Sequence, residues 1–586
     1  MKILKQNYVF NPGSKSFKKF LNNNIFFVDK TDLIHYINEK VNTSDRFICV
    51  SRPRRFGKTV TADMLTAYYS FSNNPTDVFN NKKISKQKNW KKFLGKFNVI
   101  HLNMVSYFSD CSIKKGIKKI KEVIVDEVED TIENFKFKDK NDMIRIFQDI
   151  QRNTNRDIVL IIDEWDCVFR ENLNDEKSQK KYLKFLNKFI KDNNYIALTY
   201  MTGILPVKKY GENSAINNFL EISMTSPIWM AKYVGFTEDE IKELFKKCIG
   251  DKNPDTKQNN STSKRQKLDK NNKKDKEKNI NDELIHKNEL SLDNIKKWYD
   301  GYKLENEETH ELFEIYSPLS ITEAFKHKVI KNYWNKTETY FVLKKYIKKN
   351  YFGLKQDIVR LRNRKKIKIN IDFYQNDMTS FTCKDDILTM LVHLGYLTYN
   401  ISTKQVHIPN EEVLKEFENS TQSSKWNYID KKLKKSEKLL KATWDCNEDK
   451  VAELIENFHN EVNNESYNSE DSLRFTLRLA YYVADEYYNE YIELDSGKGY
   501  VDISYIPIDS NSKYPALVIE LKYNKNAKTA MNQIKEKQYP QKLERYQDNL
   551  LLIGIKYDKK AKRNGKYYKR HTCIIENFVN KKKKEK

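Results

Sequence analysis

The chain lacks the features that mark secreted and membrane proteins. Its seven cysteines are scattered, with no C-x-x-C pair and no disulfide-framework spacing. The first residues contain no apolar core of a signal peptide, and no apolar stretch approaches the length needed to cross a bilayer. We therefore expect an intracellular protein in a reducing compartment, cytoplasmic, or nuclear if the source is eukaryotic.

The composition is rich in hydrophobic and in basic residues. Hydrophobic residues make up 39% of the 586 positions, which is enough for packed cores, and the length predicts three or four structural units. Lysine and arginine number 107 against 81 acidic residues, a net charge of 107 − 81 = +26. This excess favours a polyanionic partner such as nucleic acid, although a coding bias towards lysine and asparagine would produce the same excess.

The first 250 residues alternate short apolar runs with amphipathic stretches. The runs that are typical of buried strands are Phe47–Val50, Val99–Met104, Ile158–Ile162 and Tyr195–Met201. This alternation predicts an α/β domain with a mainly parallel sheet.

A basic segment, residues 251–289, follows this domain. Between Asp251 and Asn279 the only large apolar residue is Leu268, so the segment cannot bury enough surface to fold, and we predict a disordered insertion. The basic runs that begin at Lys264 and Lys273 resemble a nuclear import signal, but such runs also arise in any lysine-rich loop.

Two further regions complete the chain. Residues 290–436 carry apolar side chains at helical spacing, followed by the strand-like segment Gln405–Pro409, and predict a mostly helical middle region. In residues 437–586, a helical stretch from Val451 to Tyr488 precedes two strand-like segments, Gly499–Pro507 and Tyr514–Lys522, separated by a turn at Asp509–Lys513. This pattern predicts a C-terminal α/β domain.

The segment Ser51–Thr59 joins the first strand to a helix and has the pattern of a phosphate-binding loop. Gly57 allows backbone amides to close on phosphate, Lys58 can reach the β and γ oxygens, and Thr59 can bind Mg²⁺. Arg52 stands where the general pattern has its first glycine. The residues predicted to contact nucleotide are Arg55, Phe56, Gly57, Lys58 and Thr59.

A second nucleotide-site pattern follows the buried run Ile158–Ile162. Asp163 would hold Mg²⁺ through water, and Glu164 would orient or deprotonate the attacking water. The alternative is that both carboxylates only cap the next helix. The run Tyr195–Met201 ends at Thr202, which could sense the γ-phosphate.

The C-terminal strands carry a set of carboxylates and a lysine. Strand alternation puts Glu520 and Lys522 on one face, and Asp502 lies in the preceding strand. Asp502 and Glu520 suit Mg²⁺ or Mn²⁺, and Lys522 suits the attacking water. Glu470 and Gln533 lie in neighbouring helical segments. An E-x-K pair alone is more often a surface ion pair, but this one ends the buried run Ala516–Ile519.

The ordered blocks together resemble a bacterial family that pairs an AAA-ATPase-like domain with a C-terminal PD-(D/E)XK nuclease domain. The blocks are Phe27–Lys30, Ser51–Thr59, Ile161–Asp166, Gly203–Pro206, Tyr233–Thr237, Trp298–Tyr302, Pro409–Val413, Gly497–Asp502 and Val518–Lys522. The block Trp298–Tyr302 has no role that the sequence explains beyond a packed aromatic turn between domains.

The resemblance implies a P-loop ATPase domain with ATP and Mg²⁺, and a nuclease-like domain with Mg²⁺ or Mn²⁺. It assigns metal binding to Thr59, Asp163, Asp502 and Glu520, and it adds Glu164, Glu470, Lys522 and Gln533 as catalytic candidates. Three functions remain open: an ATP-regulated nuclease acting on DNA or RNA, a nucleotide-dependent switch that binds nucleic acid without cutting it, and a scaffold with neither activity. The retained site residues favour the first.

Overall fold

The structure of the chain is a computed structural model. It describes residues 12–23, 26–71, 76–171, 175–190, 193–207, 218–249, 290–334, 353–376, 381–421, 424–461, 470–495, 500–509, 512–523, 531–532, 543, 546, 548–558, 562–563, 566–567 and 570–578. The chain forms two compact units, Met1–Thr421 and Gln422–Lys586. The predicted insertion at 251–289 lies outside the described residues, and the finer domain boundaries stay predictions.

A parallel sheet organises the N-terminal part of the first unit. Its strands are β1 (Phe47–Ser51), β2 (Asn98–Asn103), β3 (Ile158–Asp163), β4 (Ile196–Gly203) and β5 (Leu220–Ile222), in the order β2-β3-β4-β1-β5. All four neighbouring pairs are parallel. Four of these strands match the predicted apolar runs to within one or two residues, so the predicted α/β fold is confirmed.

The described residues up to Ile249 also form nine helices. They are α1 (Pro12–Asn23), α2 (Leu33–Asn38), α3 (Lys58–Tyr69), α4 (Val105–Phe108), α5 (Ile113–Thr131), α6 (Met143–Thr154), α7 (Cys167–Glu171), α8 (Glu176–Ile190) and α9 (Glu238–Ile249), with short 3₁₀ turns at Thr76–Val78, Lys83–Lys86 and Ile228–Tyr233. Every residue of β1, β3 and β4 is buried. The face of α3 that carries Leu65 and Tyr69 packs in one core with Ile48 and Ile161 of the sheet. Burial of each such side chain stabilises the fold by about 1.5–3 kcal/mol. This packing holds the strands, and therefore the loops at their ends, in place.

The parallel register brings three strand ends to one edge of the sheet. Ser51 pairs with Gly203, and Asp163 pairs with Thr202. The loop after β1 and the carboxylates after β3 therefore meet beside the end of β4, where ligands bind in open α/β sheets.

The middle part of the first unit is helical, as predicted, and also contains two small antiparallel sheets. Its helices are α10 (Leu292–Tyr299), α11 (Pro318–His327), α12 (Leu354–Arg362), α13 (Lys384–His393) and α14 (Glu411–Ser420). The sheets have the strand orders β6-β8-β7 and β10-β11-β9. Their strands are β6 (Phe236–Thr237), β7 (Tyr302–Glu305), β8 (Leu312–Tyr316), β9 (Ile367–Lys368), β10 (Thr398–Asn400) and β11 (Gln405–His407). Of these strands, only β11 was predicted. The others were missed because strands of two to five residues leave little periodicity in the sequence.

The second unit is an α/β domain. Its helices are α15 (Ser424–Trp444), α16 (Glu448–Glu461) and α17 (Glu470–Ala480), with a 3₁₀ turn at Tyr482–Glu486. Its strands are β12 (Tyr488–Asp495), β13 (Tyr500–Pro507), β14 (Ala516–Tyr523), β15 (Leu550–Tyr557), β16 (Lys562–Arg563), β17 (Lys566–Tyr567) and β18 (His571–Asn577). The main sheet has the order β12-β13-β14-β15-β18, and only its β14 and β15 pair in parallel.

The two predicted C-terminal strands are β13 and β14, and they pair antiparallel as the predicted turn requires. Strand β12 was not predicted. It begins at Tyr488, where the helical stretch was expected to end, and its polar and aromatic residues do not alternate clearly.

Candidate nucleotide-binding and nuclease sites

The loop between β1 and α3 has a backbone suited to an anion. Gly57 precedes α3 with a φ of 76°, and no side chain of the described residues caps the first N–H groups of this helix. Arg55 also has a positive φ, 75°. A left-handed conformation at a residue other than glycine costs about 1–3 kcal/mol, so surrounding contacts must hold the loop in this shape. The uncapped helix start is a ready anion site.

Lys58 lies folded over this loop. Its Nζ donates to the carbonyl oxygens of Arg52 at 3.2 Å and Pro53 at 3.1 Å, and it lies 3.9 Å from Oε1 of Glu164. Burial lowers the pKa of Lys58, and the Glu164 carboxylate opposes that shift. The ammonium is therefore held between the loop and the carboxylates, where it would meet a bound phosphate.

Thr59 and Asp163 meet directly. The Thr59 hydroxyl donates to Oδ2 of Asp163 at 2.8 Å, so the two predicted Mg²⁺ ligands lie side by side. Burial raises the pKa of Asp163. Asp63, one turn after Thr59, has its pKa raised to about 7 by burial and by the nearby Asp163. A divalent cation would relieve this carboxylate repulsion, so the donor set fits Mg²⁺. No sequence motif singles out Asp63.

Glu164 is held between two cations. Its backbone has a φ of 54°, its Oε2 accepts from Nη2 of Arg170 at 2.5 Å, and its Oε1 faces Lys58. Arg170 also lies 3.2 Å from Asp166, whose Oδ2 accepts from the backbone N–H groups of Ile204 and Leu205 just after β4. Burial raises the pKa of Glu164, while Lys58 and Arg170 lower it. Arg170 therefore connects the predicted base to the end of β4, a role that sequence pattern did not indicate.

Arg52, in the loop, and Thr202, near the end of β4, are both buried. The Arg52 side chain is buried, with 4% of the residue exposed, and its Nη1 and Nη2 have no hydrogen-bond partner within the described part of the chain. Burial lowers the pKa of Arg52 to about 9. The Thr202 hydroxyl donates to the Val50 carbonyl oxygen at 3.0 Å, so it must leave that bond to contact a phosphate. The unpaired guanidinium indicates a place for a negative charge near the loop.

The middle part of the first unit packs against the phosphate-binding loop. The Phe56 ring contacts the Tyr302 ring edge-on, with centroids 5.2 Å apart. Nη1 of Arg55 donates to the Tyr333 carbonyl oxygen at 2.7 Å. A Cβ on Gly395 would lie 2.8 Å from Cβ of Pro53, so only glycine allows this approach. These contacts hold the strained loop from the side opposite the sheet.

The block Trp298–Tyr302 lies within this contact region. The Tyr302 hydroxyl donates to the Gly395 carbonyl oxygen at 2.7 Å, and Asn410 donates to the Asp300 carbonyl oxygen at 2.8 Å. A Cβ on Gly301, whose φ is 106°, would overlap the Pro409 carbonyl. The block therefore joins the phosphate-binding loop to the Pro409–Val413 block.

Glu412 completes this region. Its Oε1 accepts from the N–H groups of Tyr333 at 2.6 Å and Trp334 at 3.0 Å, and its Oε2 accepts from the Ser320 hydroxyl at 2.8 Å. Burial raises the pKa of Glu412 to about 7, against these hydrogen bonds and the charge of Arg55. The carboxyl group fixes the backbone that in turn binds Arg55.

In the second unit, β13 and β14 bring together three predicted residues. Ile503 pairs with Ile519, so the backbone of Asp502 lies level with Glu520. The Asp502 Oδ2 accepts from the Leu521 N–H at 2.8 Å, and Nζ of Lys522 donates to Oε1 of Glu520 at 3.3 Å. Glu520 and Lys522 are both buried, unlike a surface ion pair. Carboxylates on neighbouring strands beside a buried lysine suit Mg²⁺ or Mn²⁺.

The remaining predicted nuclease residues cannot be placed around these three. Glu470 begins α17, and its side chain lies outside the described part, as does the whole of Gln533. Among the described residues, no three His, Cys, Asp or Glu side chains are grouped as a metal site. Arg474 on α17 is a neighbour that was not predicted, and its Nη2 lies 3.3 Å from Oδ1 of Asp502.

In the part of the chain that the structure describes, no helix has the length and apolar character that a membrane span requires.

Two family models match separate parts of the chain. Residues 12–211 match a predicted AAA-ATPase, and residues 475–566 match the PD-(D/E)XK nuclease superfamily. No curated protein matches the sequence significantly. Among solved structures, the chain is similar to the ORC2 protein of Aeropyrum pernix, determined as ADPNP and ADP complexes, at 11% identity and a TM-score of 0.26, over 71% of this chain and 95% of that chain. The two family matches confirm the resemblance drawn from the sequence.

Proposed function

We propose that this chain, which carries an AAA-ATPase-like domain at residues 12–211 and a PD-(D/E)XK nuclease superfamily domain at residues 475–566, is an ATP-regulated, metal-dependent nuclease. The observation that carries the proposal is the retention of both polar sites in one chain. Lys58, Thr59, Asp163 and Glu164 converge at one edge of the first sheet, and Asp502, Glu520 and Lys522 converge in the second.

In the first unit, the residues present fit ATP with Mg²⁺. Lys58 and the start of α3 would hold the phosphates, and Thr59 with Asp163 would hold the ion. Glu164 would take the proton of the attacking water, since its Oε1 faces the lysine that would bind the γ-phosphate. Bound Mg²⁺ would neutralise the charge that develops on the transferred phosphoryl group.

In the second unit, Asp502 and Glu520 would hold Mg²⁺ or Mn²⁺, and Lys522 would orient the attacking water or stabilise the negative charge on the phosphate. The bound ion would supply a Lewis acid for phosphodiester hydrolysis. The net charge of +26 supports DNA or RNA as the partner through phosphate contacts.

The alternative is a nucleotide-dependent switch whose nuclease-like domain binds nucleic acid without cleaving it. The pairing of Asp502 with Arg474 is the observation that favours this alternative, because the guanidinium already neutralises a predicted metal ligand. Retention of Glu520 and Lys522 as a buried pair favours the nuclease.

A cleavage assay with the full chain tests the proposal. Labelled single- and double-stranded DNA and RNA are incubated with Mg²⁺ or Mn²⁺, with and without ATP. We expect cleavage that disappears in Asp502→Ala and Glu520→Ala, while both variants still bind ATP and nucleic acid. Failure of the wild type to cut any substrate under all these conditions, or full activity of Glu520→Ala, would replace the nuclease with the switch.

The nucleotide site is tested by two substitutions with different expected effects. Lys58→Ala removes charged hydrogen bonds to two phosphates, at about 3 kcal/mol in total, so ATP binding should weaken about 100-fold. Glu164→Gln should bind ATP normally and lose hydrolysis. Equal loss of ATP binding in both variants would contradict the assigned roles.

A further inference from the structure

Arg474 makes an unusual set of contacts beside the candidate nuclease site. Its Nη1 lies 2.8 Å from Oε1 of Glu493, and its Nη2 lies 3.3 Å from Oδ1 of Asp502. Asp471, one turn earlier on α17, lies 3.5 Å from Nη1. The Arg474 and Asp502 side chains are only 17% and 15% exposed, so this ion pair is partly shielded from water.

Three acidic residues form a row across the sheet at this point. Ile492 pairs with Ile503 and Leu494 with Val501, which places Glu493 level with Asp502 on the neighbouring strand. Glu520 lies level with Asp502 on the other side. Two basic side chains pair with these carboxylates. Arg474 pairs with Glu493 and Asp502, and Lys522 pairs with Glu520.

Both oxygens of Asp502 accept hydrogen bonds. Oδ2 accepts from the Leu521 N–H at 2.8 Å, and Oδ1 accepts from Arg474. The backbone bond fixes the side-chain rotamer and can persist when an ion binds to Oδ1. The guanidinium, in contrast, occupies the oxygen that a divalent cation would need.

The neighbouring arginine on α17 shows a different geometry. Arg478 binds Glu490 through two atoms, Nε at 3.0 Å and Nη2 at 2.7 Å, as in a strong arginine–carboxylate pair. Arg474 contacts Asp502 through one nitrogen at a longer distance and holds Glu493 more closely. The Asp502 contact is therefore the weaker of its two hydrogen bonds and is the one that a cation can replace.

We propose that Arg474 is an internal counter-ion of Asp502 that competes with the divalent metal and so sets the metal affinity of the site. When an ion binds at Oδ1, the guanidinium gives up that contact and stays with Glu493. Arg474 is thus a positioning residue for the nuclease reaction. This inference rests on the metal site of the proposed function, and its test separates the two.

The test measures Mn²⁺ binding to the nucleotide-free full chain by the electron paramagnetic resonance signal of free Mn²⁺. Asp502→Asn identifies the part of the isotherm that belongs to this site. Arg474→Gln should tighten that part about tenfold, because it removes a positive charge a few ångströms from the ion. Arg478→Gln makes the same charge change one turn away on α17 and should leave the affinity within about twofold of wild type.

Glu493→Gln provides a second variant with the opposite expected sign. Glu493 is 59% exposed, so the fold should tolerate the change. Among the described residues, the guanidinium then keeps Asp502 and the exposed Asp471 as partners, and Mn²⁺ binding should weaken several-fold. Because this variant retains Arg474, it tests the competition even if Arg474→Gln does not fold.

The outcomes separate the inference from the proposed function. Equal Mn²⁺ affinity in wild type, Arg474→Gln and Glu493→Gln, or weaker binding by folded Arg474→Gln, overturns the counter-ion role and leaves the nuclease proposal standing. Tighter binding by Arg474→Gln without cleavage of any nucleic acid supports the counter-ion role and refutes the nuclease. Absence of any Asp502-dependent Mn²⁺ binding in all variants overturns both.

Discussion

Replacement of Arg52 by methionine should make the nucleotide-free protein more stable and its response to ATP smaller. The Arg52 side chain is buried in the phosphate-binding loop, and its Nη1 and Nη2 have no hydrogen-bond partner within the described residues. A buried, unpaired charge destabilises the fold until an anion compensates it. Methionine has a similar length and no charge, so it removes this cost while filling much of the same volume.

The size of the effect follows from the pKa of Arg52. Burial lowers this pKa from 12.5 to about 9, a shift that corresponds to about 5 kcal/mol. At pH 7 the group is still protonated, because its folded pKa remains above 7, so the whole cost applies. Relaxation of the loop and entry of water reduce the net gain of the substitution to about 2 kcal/mol. For a unit of this size, such a gain raises the melting temperature by about 2 °C.

Differential scanning fluorimetry of the full chain at pH 7, with and without saturating Mg²⁺-ATP, measures both effects. Arg52→Met should melt at higher temperature than wild type without nucleotide, and ATP should raise its melting temperature less. Arg54→Met serves as the control, because it removes the same charge from a partly exposed position in the same loop. This control should not raise the nucleotide-free melting temperature, because water already solvates the partly exposed Arg54 charge.

The opposite result would refute the reasoning. If Arg52→Met melts below wild type without nucleotide, the guanidinium stabilises the loop, and the cost assigned to its burial is wrong. If Arg52→Met is stabilised but keeps the full ATP-induced shift, Arg52 does not respond to the nucleotide phosphates.

Substitutions at three further residues test the contacts around this site. Arg170→Met should lower the kcat of ATP hydrolysis about tenfold with unchanged ATP affinity, because Glu164 loses the donor that orients it. Arg170→Lys should restore part of the rate. An equal fall in ATP affinity would contradict a positioning role for Arg170. The pKa of Glu412 rises from 4.5 to about 7 on folding, so wild-type stability should fall by up to about 3 kcal/mol as the pH rises from 4.5 to 7. In thermal melts, Glu412→Gln should remove that part of the dependence of stability on pH. An unchanged pH dependence would exclude ionisation of Glu412 as its cause. Gly301→Ala forces a Cβ against the Pro409 carbonyl at a positive φ and should lower the melting temperature by several degrees; a wild-type melting curve would show that this contact is not tight.

Local patterns were sufficient to predict the two folds, and they point to most of the candidate site residues, whose roles stay predictions. The strand before Lys58 and the strand before Asp163 are continuous apolar runs, because a parallel sheet is covered on both faces. Glu520 and Lys522 share a face because side chains alternate along a strand. The predictions failed where periodicity is short or weak, as at β12, whose eight residues lack clear alternation.

The partners of those residues were decided by the tertiary structure alone. Arg474 lies on a helix among other charged residues, and nothing in its spacing distinguishes it from a solvated helix face. Only the packing of this helix against the sheet brings it to Asp502. The contact of Tyr302 with Phe56 likewise joins residues far apart in the chain. The sequence by itself therefore determined which residues are candidates for the proposed chemistry, because their local spacing is dictated by strand and helix geometry. The tertiary structure decided which charges surround them, because those contacts depend on how distant segments pack.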